Sequence, residues 1–161
     1  MELQEQLKEE AIALGACEEG IASWGEPDVN ALCEKYFKYQ DFCIKHNWPS
    51  VEQIKSADRE IVEANGIFVD GVGVCNNLPD MVVMGSALVE VYVLRPCNLT
   101  VRHKGEVNVH VNGGVLCYIS MHDDCKVNIV SKHPKGRIAV SYWSGTIENK
   151  EMVDKIYKKE K

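Results

Sequence analysis

The chain has 161 residues, 45% of them apolar and 26% charged, which is an ordinary globular composition and enough for one domain with a helical appendage. Its net charge of −6 divides unevenly, because residues 1–65 carry a balance of −8 and residues 66–161 a balance of +2. This distribution excludes long duplex nucleic acid as a partner, since that ligand needs a broad basic surface. It permits a small anionic ligand at a local basic site.

The sequence also argues against a membrane or exported protein. No window approaches the roughly 18 uncharged apolar residues of a membrane helix. Residues 1–5 are acidic where a signal peptide needs a positive region, so we expect a cytoplasmic location. The seven cysteines are odd in number and include no C-x-x-C pair, which indicates free buried thiols and no zinc site.

Apolar residues at helical spacing dominate the first part of the chain. They predict a helix over residues 2–14 and a second helix over residues 28–46, which Asp28 would cap. Ser50 and Gln53 form a capping box that would start a third helix, interrupted near its middle. We therefore expect an acidic helical subdomain.

From Ile67 onward the apolar period changes from helical to strand-like. Six short runs alternate apolar with mostly polar residues, and their first positions lie 8 to 11 residues apart, at Val89, Leu99, Val107, Cys117, Val127 and Ile138. A near-constant step predicts a repeat architecture. The fold class is therefore α+β, with the helical subdomain over residues 1–65 and a β-repeat domain with a C-terminal capping segment over residues 66–161.

Two β architectures fit this repeat. In a small β-solenoid, alternate strands stack in parallel, and the even spacing favours this arrangement. In an antiparallel sandwich or meander, neighbouring strands form hairpins, and Asn112-Gly113 would suit a tight hairpin turn. The tail over residues 148–161 would be either a short capping helix or a last edge strand. We favour the solenoid and keep the sandwich as the alternative.

No pattern of catalytic residues stands out. A glycosidase needs two carboxylates at a defined separation, but the acids of the β part lie mostly in turns, as Asp123 and Asp124 do. There is no G-x-S-x-G elbow, and none of the five histidines has a partner at metal-ligand spacing. We expect a non-enzymatic protein with no catalytic residues, no metal and no cofactor.

The outward positions of the repeat are the candidates for ligand binding. Residues 95–145 carry seven basic residues against three acidic ones. Basic side chains near exposed aromatic rings can hold phosphates and stack bases. If the Val-x-Val positions point inward, the candidates for binding a small anionic ligand are Arg102, His110, Tyr118, Lys132 and Arg137.

Three segments, residues 14–17, 39–50 and 65–70, precede the Val-x-Val repeats in a distinctive order. In this order the chain resembles small uncharacterised phage and prophage proteins of gut bacteria. The resemblance covers most of the chain and implies a phage context, with a location in the host cytoplasm. It implies no activity.

Three functions follow as hypotheses. The first is a homo-oligomeric, phage-type binding protein that engages a small anionic ligand or a host protein, for example by sequestering a nucleotide immune signal of the host. The second is a structural or assembly module of a phage particle. The third is a carbohydrate-active β-solenoid protein, which the shortage of paired carboxylates disfavours.

Overall fold

A computed structural model describes residues 1–160. The chain divides between Asn65 and Gly66 into a helical unit and a β unit. Within the described residues the helical unit contains six helices: α1 (Leu3–Ala13), α2 (Glu18–Ala22), α3 (Val29–Lys38), α4 (Gln40–His46), α5 (Val51–Lys55) and α6 (Arg59–Ala64). None of the helices in residues 1–160 is both long enough and apolar enough to cross a membrane.

The helix boundaries follow the capping residues. The Asp28 carboxylate accepts the Ala31 N–H at 2.9 Å, and the capping box of Ser50 and Gln53 is formed as expected. The single helix expected over residues 28–46 is wrong, because α3 ends before Tyr39, whose backbone leaves the helical region at φ −114° and ψ 31°. Aromatic residues lose side-chain freedom in a helix, so this aromatic-rich stretch favours helix only weakly.

The β unit has eleven strands within the described residues. They are β1 (Ile67–Val69), β2 (Val72–Asn76), β3 (Asp80–Met84), β4 (Leu88–Val93), β5 (Cys97–Val101), β6 (Glu106–Val111), β7 (Leu116–Met121), β8 (Lys126–Lys132), β9 (Arg137–Tyr142), β10 (Thr146–Glu148) and β11 (Lys155–Lys158). A single 3-10 turn, Lys150–Met152, precedes β11. Of the two forms expected for the tail, the edge strand is therefore the one that the chain adopts.

Successive strands alternate between two parallel sheets. Sheet A has the order β1-β3-β5-β7-β9-β11, and sheet B has the order β10-β8-β6-β4-β2. Each pair of consecutive strands makes one turn of a β-solenoid of about five turns, so the solenoid prediction is confirmed. The antiparallel sandwich is wrong, because Asn112-Gly113 leads from β6 in sheet B to β7 in sheet A and forms no hairpin.

The inward residues of the two sheets share one core. Val91 and Val109 of sheet B and Ile119 and Val140 of sheet A are all 0% exposed. The parallel register places like residues above one another from turn to turn, and the period of two sends every second side chain inward. The Val-x-Val pattern is thus a stacking pattern. The outward residues are left to carry polar chemistry.

Side chains brace the turns that lead from sheet A to sheet B. The Asp70 carboxylate accepts the Ser86 N–H at 2.7 Å, and the Asp123 carboxylate accepts the His103 N–H at 3.0 Å. Both aspartates have positive φ, 56° and 59°, a conformation that Asp tolerates in turns. Asp123 therefore has a structural role in joining one turn to the next.

Candidate ligand site on the outer face of sheet A

The five residues expected to bind a ligand lie on different parts of the solenoid. Tyr118 and Arg137 belong to β7 and β9 of sheet A, and Arg102 directly follows β5 of the same sheet. His110 and Lys132 belong to β6 and β8 of sheet B. These residues therefore do not form one site, because the two sheets turn their outer faces in opposite directions.

Arg102 and His110 are poorly placed to meet a ligand. Arg102 is only 2% exposed. His110 lies on the outer face of sheet B, where its Nε2 is 2.8 Å from Glu90 Oε2 and its ring stacks on Tyr92 with centroids 4.6 Å apart. The hydrogen bonds that Glu90 receives from His110 and Asn108 hold the pKa of its carboxyl below its ordinary value. One ring nitrogen and one ring face of His110 are thus engaged within the sheet.

A row of polar side chains follows Glu90 along sheet B. Asn108 Nδ2 donates to Glu90 Oε1 at 2.8 Å, Asn128 Nδ2 donates to Asn108 Oδ1 at 3.1 Å, and Asn149 Nδ2 donates to Asn128 Oδ1 at 2.9 Å. The parallel register places Glu90, Asn108 and Asn128 in one row within hydrogen-bond distance, because neighbouring strands lie ~4.8 Å apart. Asn149 directly follows β10 and extends the row. We call these four residues the polar ladder. Its groups bind one another.

Lys132 is the last residue of β8, and its side chain binds the carboxylate of Asp154, with Nζ 3.2 and 3.1 Å from the two oxygens. Asp154 Oδ2 also accepts the Ile138 N–H at 2.8 Å. This backbone bond, together with Lys132 and the nearby charge of Arg137, keeps the pKa of Asp154 below its ordinary value. Lys132 therefore neutralises Asp154, an acid that lies beside the start of β9.

Tyr118 and Arg137 are brought close together on the outer face of sheet A. Tyr118, Ala139 and Lys155 lie in register across β7, β9 and β11. Since neighbouring strands are ~4.8 Å apart, the backbones of β7 and β11 are about 10 Å apart, with only the methyl group of Ala139 between them. We call this gap, bounded by Tyr118 and Lys155, the Ala139 slot.

Positive charge surrounds the slot. Arg137 is exposed and lies two residues before Ala139 on the same face of β9. Lys155 is also exposed, and its Nζ is 4.9 Å from the centre of the Tyr157 ring. Neither β7 nor β9 contains an acidic residue. Asp154, which directly precedes β11, is the nearby acid that interacts with Arg137, and its carboxylate is bound by Lys132. The slot therefore combines aromatic rings with the cations Arg137 and Lys155.

The turn before β9 adds a further cation. Lys135 follows Pro134 in this turn and is exposed. It packs against the neighbouring turn at Gly114, where a Cβ would lie only 3.1 Å from Lys135 Cβ. Glycine at position 114 thus lets the two turns approach closely and holds Lys135 beside the start of β9.

The sequence identified Tyr118 and Arg137 but missed Ala139 and Lys155. A small residue such as Ala139 carries no chemical signal, and its importance follows only from its neighbours in register. Lys155 lies in the tail, for which the sequence left a capping helix and an edge strand as alternatives. Within residues 1–160, no group of three His, Cys, Asp or Glu side chains is arranged to hold a metal ion.

Comparisons with known proteins give no independent guide to this site. Comparison with protein-family models, with curated protein sequences and with solved structures finds no match. The interpretation of the Ala139 slot therefore depends on its own residues.

Proposed function

We propose that the protein is a non-enzymatic binding protein of phage type that sequesters a small anionic, nucleotide-like ligand in the Ala139 slot. The observation that carries the proposal is the row of Tyr118, Ala139 and Lys155 with Arg137 beside it. The phage context comes from the likeness in the order of sequence elements. The alternating sheets supply a rigid frame on which this row is held.

The chemistry of the row suits the two parts of a nucleotide. The Tyr118 ring offers a stacking surface for a base, and stacking on an aromatic side chain contributes about 1–3 kcal/mol per base. The methyl group of Ala139 leaves room for that base above β9. Arg137 supplies a planar, permanently charged fork that can bind phosphate oxygens in pairs. Lys155 and Lys135 add charge without fixing the direction of the phosphate.

Isothermal calorimetry on the full chain tests the proposal with a panel of linear nucleotides, cyclic mono- and dinucleotides and ADP-ribose. We expect at least one of them to bind. Ala139→Leu fills the slot from its floor and should abolish binding. Arg137→Gln removes the phosphate contact and should weaken binding about tenfold, which corresponds to about 1.4 kcal/mol.

Lys104→Gln is the matched control for the loss of charge, because Lys104 is exposed in a turn that leads from sheet A to sheet B, away from the start of β9. It should bind like the unaltered protein. The proposal is wrong if no nucleotide of the panel binds at about 1 mM, the limit of weak specific binding. It is equally wrong if Ala139→Leu leaves the affinity unchanged.

A structural or assembly role is the second candidate, and the outer face of sheet B favours it. There the polar ladder engages its own donors and acceptors, which suits a stiff platform better than a ligand site. Immunoblotting of purified phage particles for this chain tests the role. Absence of the chain from the particles would exclude it as a particle component.

A further inference from the structure

Strand β2, Val72–Asn76, forms one edge of sheet B and is unusually apolar for an exposed edge. The side chains of Val72 and Val74 are 77% and 57% exposed, and Leu88 on the adjoining strand is 39% exposed. We infer that β2 is a self-association edge, at which two copies of the chain pair β2 with β2 antiparallel about a twofold axis through Val74. This inference concerns a different surface from the Ala139 slot and does not depend on it.

The hydrogen-bonding groups of β2 divide between the two sides of the strand. On the inner side, the Leu88 N–H donates to the Gly71 carbonyl at 2.8 Å and the Asn77 N–H donates to the Tyr92 carbonyl at 2.9 Å. Along a strand, successive residues direct their backbone groups to opposite sides, so Val72, Val74 and Asn76 direct theirs to the open side. In the described part of the chain no strand pairs with that side.

The open groups match a second copy of the same strand. Antiparallel pairing about Val74 places Val74 opposite Val74 of the second copy and Val72 opposite its Asn76. Each of these is a pair of the kind in which two residues exchange both N–H···O=C bonds, because the groups that face the edge belong to these residues. The interface is isologous and closes on itself.

The side chains of β2 also favour a second copy of the chain as the partner of this edge. β2 contains no charged residue, so self-pairing opposes no like charges. Val72 and Val74 of both copies would pack side by side across the new strand pair, which removes the edge-facing part of their exposed surface from water. An acidic or basic peptide would gain no ion pair from β2 itself.

The twofold interface uses the same β2 edge in both copies, so it closes at two copies. The C-terminal end of the solenoid presents the edge of sheet A, β11, and the edge of sheet B, β10. The edge strand β11 there carries Lys155 and Lys158, both exposed. Exposed lysines on an edge strand oppose pairing with another strand. Association at β2 therefore joins two copies, and the lysines of β11 disfavour further pairing at that edge of sheet A.

Light scattering across a concentration series measures the assembly directly. The chain has a mass of 18.1 kDa, and we expect a species of twice this mass at high concentration. Val74→Lys places two like charges across the twofold axis and should raise the dimer dissociation constant by at least about a hundredfold. The matched control is Val130→Lys, since Val130 is also exposed but lies on β8, inside sheet B. The Val130→Lys variant should dimerise like the unaltered protein.

Hydrogen exchange on the unaltered protein gives a second measurement that needs no folded variant. The amides of Val72, Val74 and Asn76 should exchange slowly in the dimer and faster on dilution. The inference is overturned if the chain stays monomeric at about 100 μM, where weak specific dimers form. A dimer that survives Val74→Lys, or one in which these three amides exchange freely, overturns it as well.

Discussion

The outer faces of the two sheets use the same strand pattern in different ways. On sheet B, Glu90, Asn108 and Asn128 hydrogen-bond to one another along the solenoid. On the C-terminal part of sheet A, Ala139 separates Tyr118 from Lys155, and no hydrogen bond links these three side chains within residues 1–160. An outward row of polar residues therefore stabilises the fold when its members bind one another. A row interrupted by a small residue is left available to a ligand.

The difference has a simple origin in side-chain length. Neighbouring strands lie ~4.8 Å apart, and two asparagine amides can bridge that distance with a hydrogen bond. Ala139 has no polar atom and cannot continue such a row. A single alanine in register with Tyr118 therefore changes the chemistry of the face without any change in the backbone.

Both faces depend on one core, and the largest expected effect comes from damaging it. Ile129→Ala on β8 should lower the free energy of unfolding by about 3 kcal/mol, because it leaves a cavity between the sheets at a residue that is 0% exposed. Urea denaturation followed by circular dichroism measures this change. Val130→Ala, next on the same strand and 41% exposed, is the control and should cost less than about 0.5 kcal/mol. If Ile129→Ala and Val130→Ala lower the free energy of unfolding equally, Ile129 does not belong to a core shared by the two sheets.

Breaking the polar ladder on sheet B should lower stability without changing ligand binding on sheet A. Asn128→Ala removes the donor to Asn108 Oδ1 and an acceptor of Asn149 Nδ2, and should lower the free energy of unfolding by about 1–2 kcal/mol. Ligand affinity at the Ala139 slot should not change, which calorimetry on the variant would measure. Asn98→Ala is the control for the unfolding measurement alone, because Asn98 is exposed on sheet A and within residues 1–160 makes only a long contact, 3.4 Å, to Asp80. It is not a control for affinity, since Asn98 lies in register with Tyr118. A loss of ligand affinity in Asn128→Ala would contradict this prediction and indicate that ligand binding on sheet A depends on the ladder on sheet B.

The smallest expected effect is a pH dependence on sheet B. Hydrogen bonds from His110 and Asn108 keep the pKa of Glu90 below its ordinary value of 4.5 in the folded protein. Their contribution to stability is therefore present above pH 4.5 and is lost as the pH falls through the lower, folded pKa. Glu90→Gln should flatten the fall of the urea midpoint between pH 5 and 3 relative to the unaltered chain. If the urea midpoint of Glu90→Gln falls with pH as steeply as that of the unaltered chain, Glu90 does not contribute to the acid sensitivity.

The solenoid was predictable because its signal repeats. The Val-x-Val runs show which residues point inward, and their even spacing favours parallel stacking over hairpins. The grouping of the candidate residues was not predictable. Successive strands lie in opposite sheets, so His110 and Tyr118 belong to the consecutive strands β6 and β7 but lie on different outer faces.

The inward half of the solenoid follows from the amino-acid pattern alone, since apolar alternation with a period of two places the valines and isoleucines in the space between the sheets. Tertiary structure alone decided which outward residues meet. The partners lie about one solenoid turn apart in sequence, as Tyr118 and Ala139 do, and their meeting depends on the register between turns. Small differences in turn length set that register, and no local pattern encodes it. The polar ladder and the Ala139 slot are therefore products of stacking.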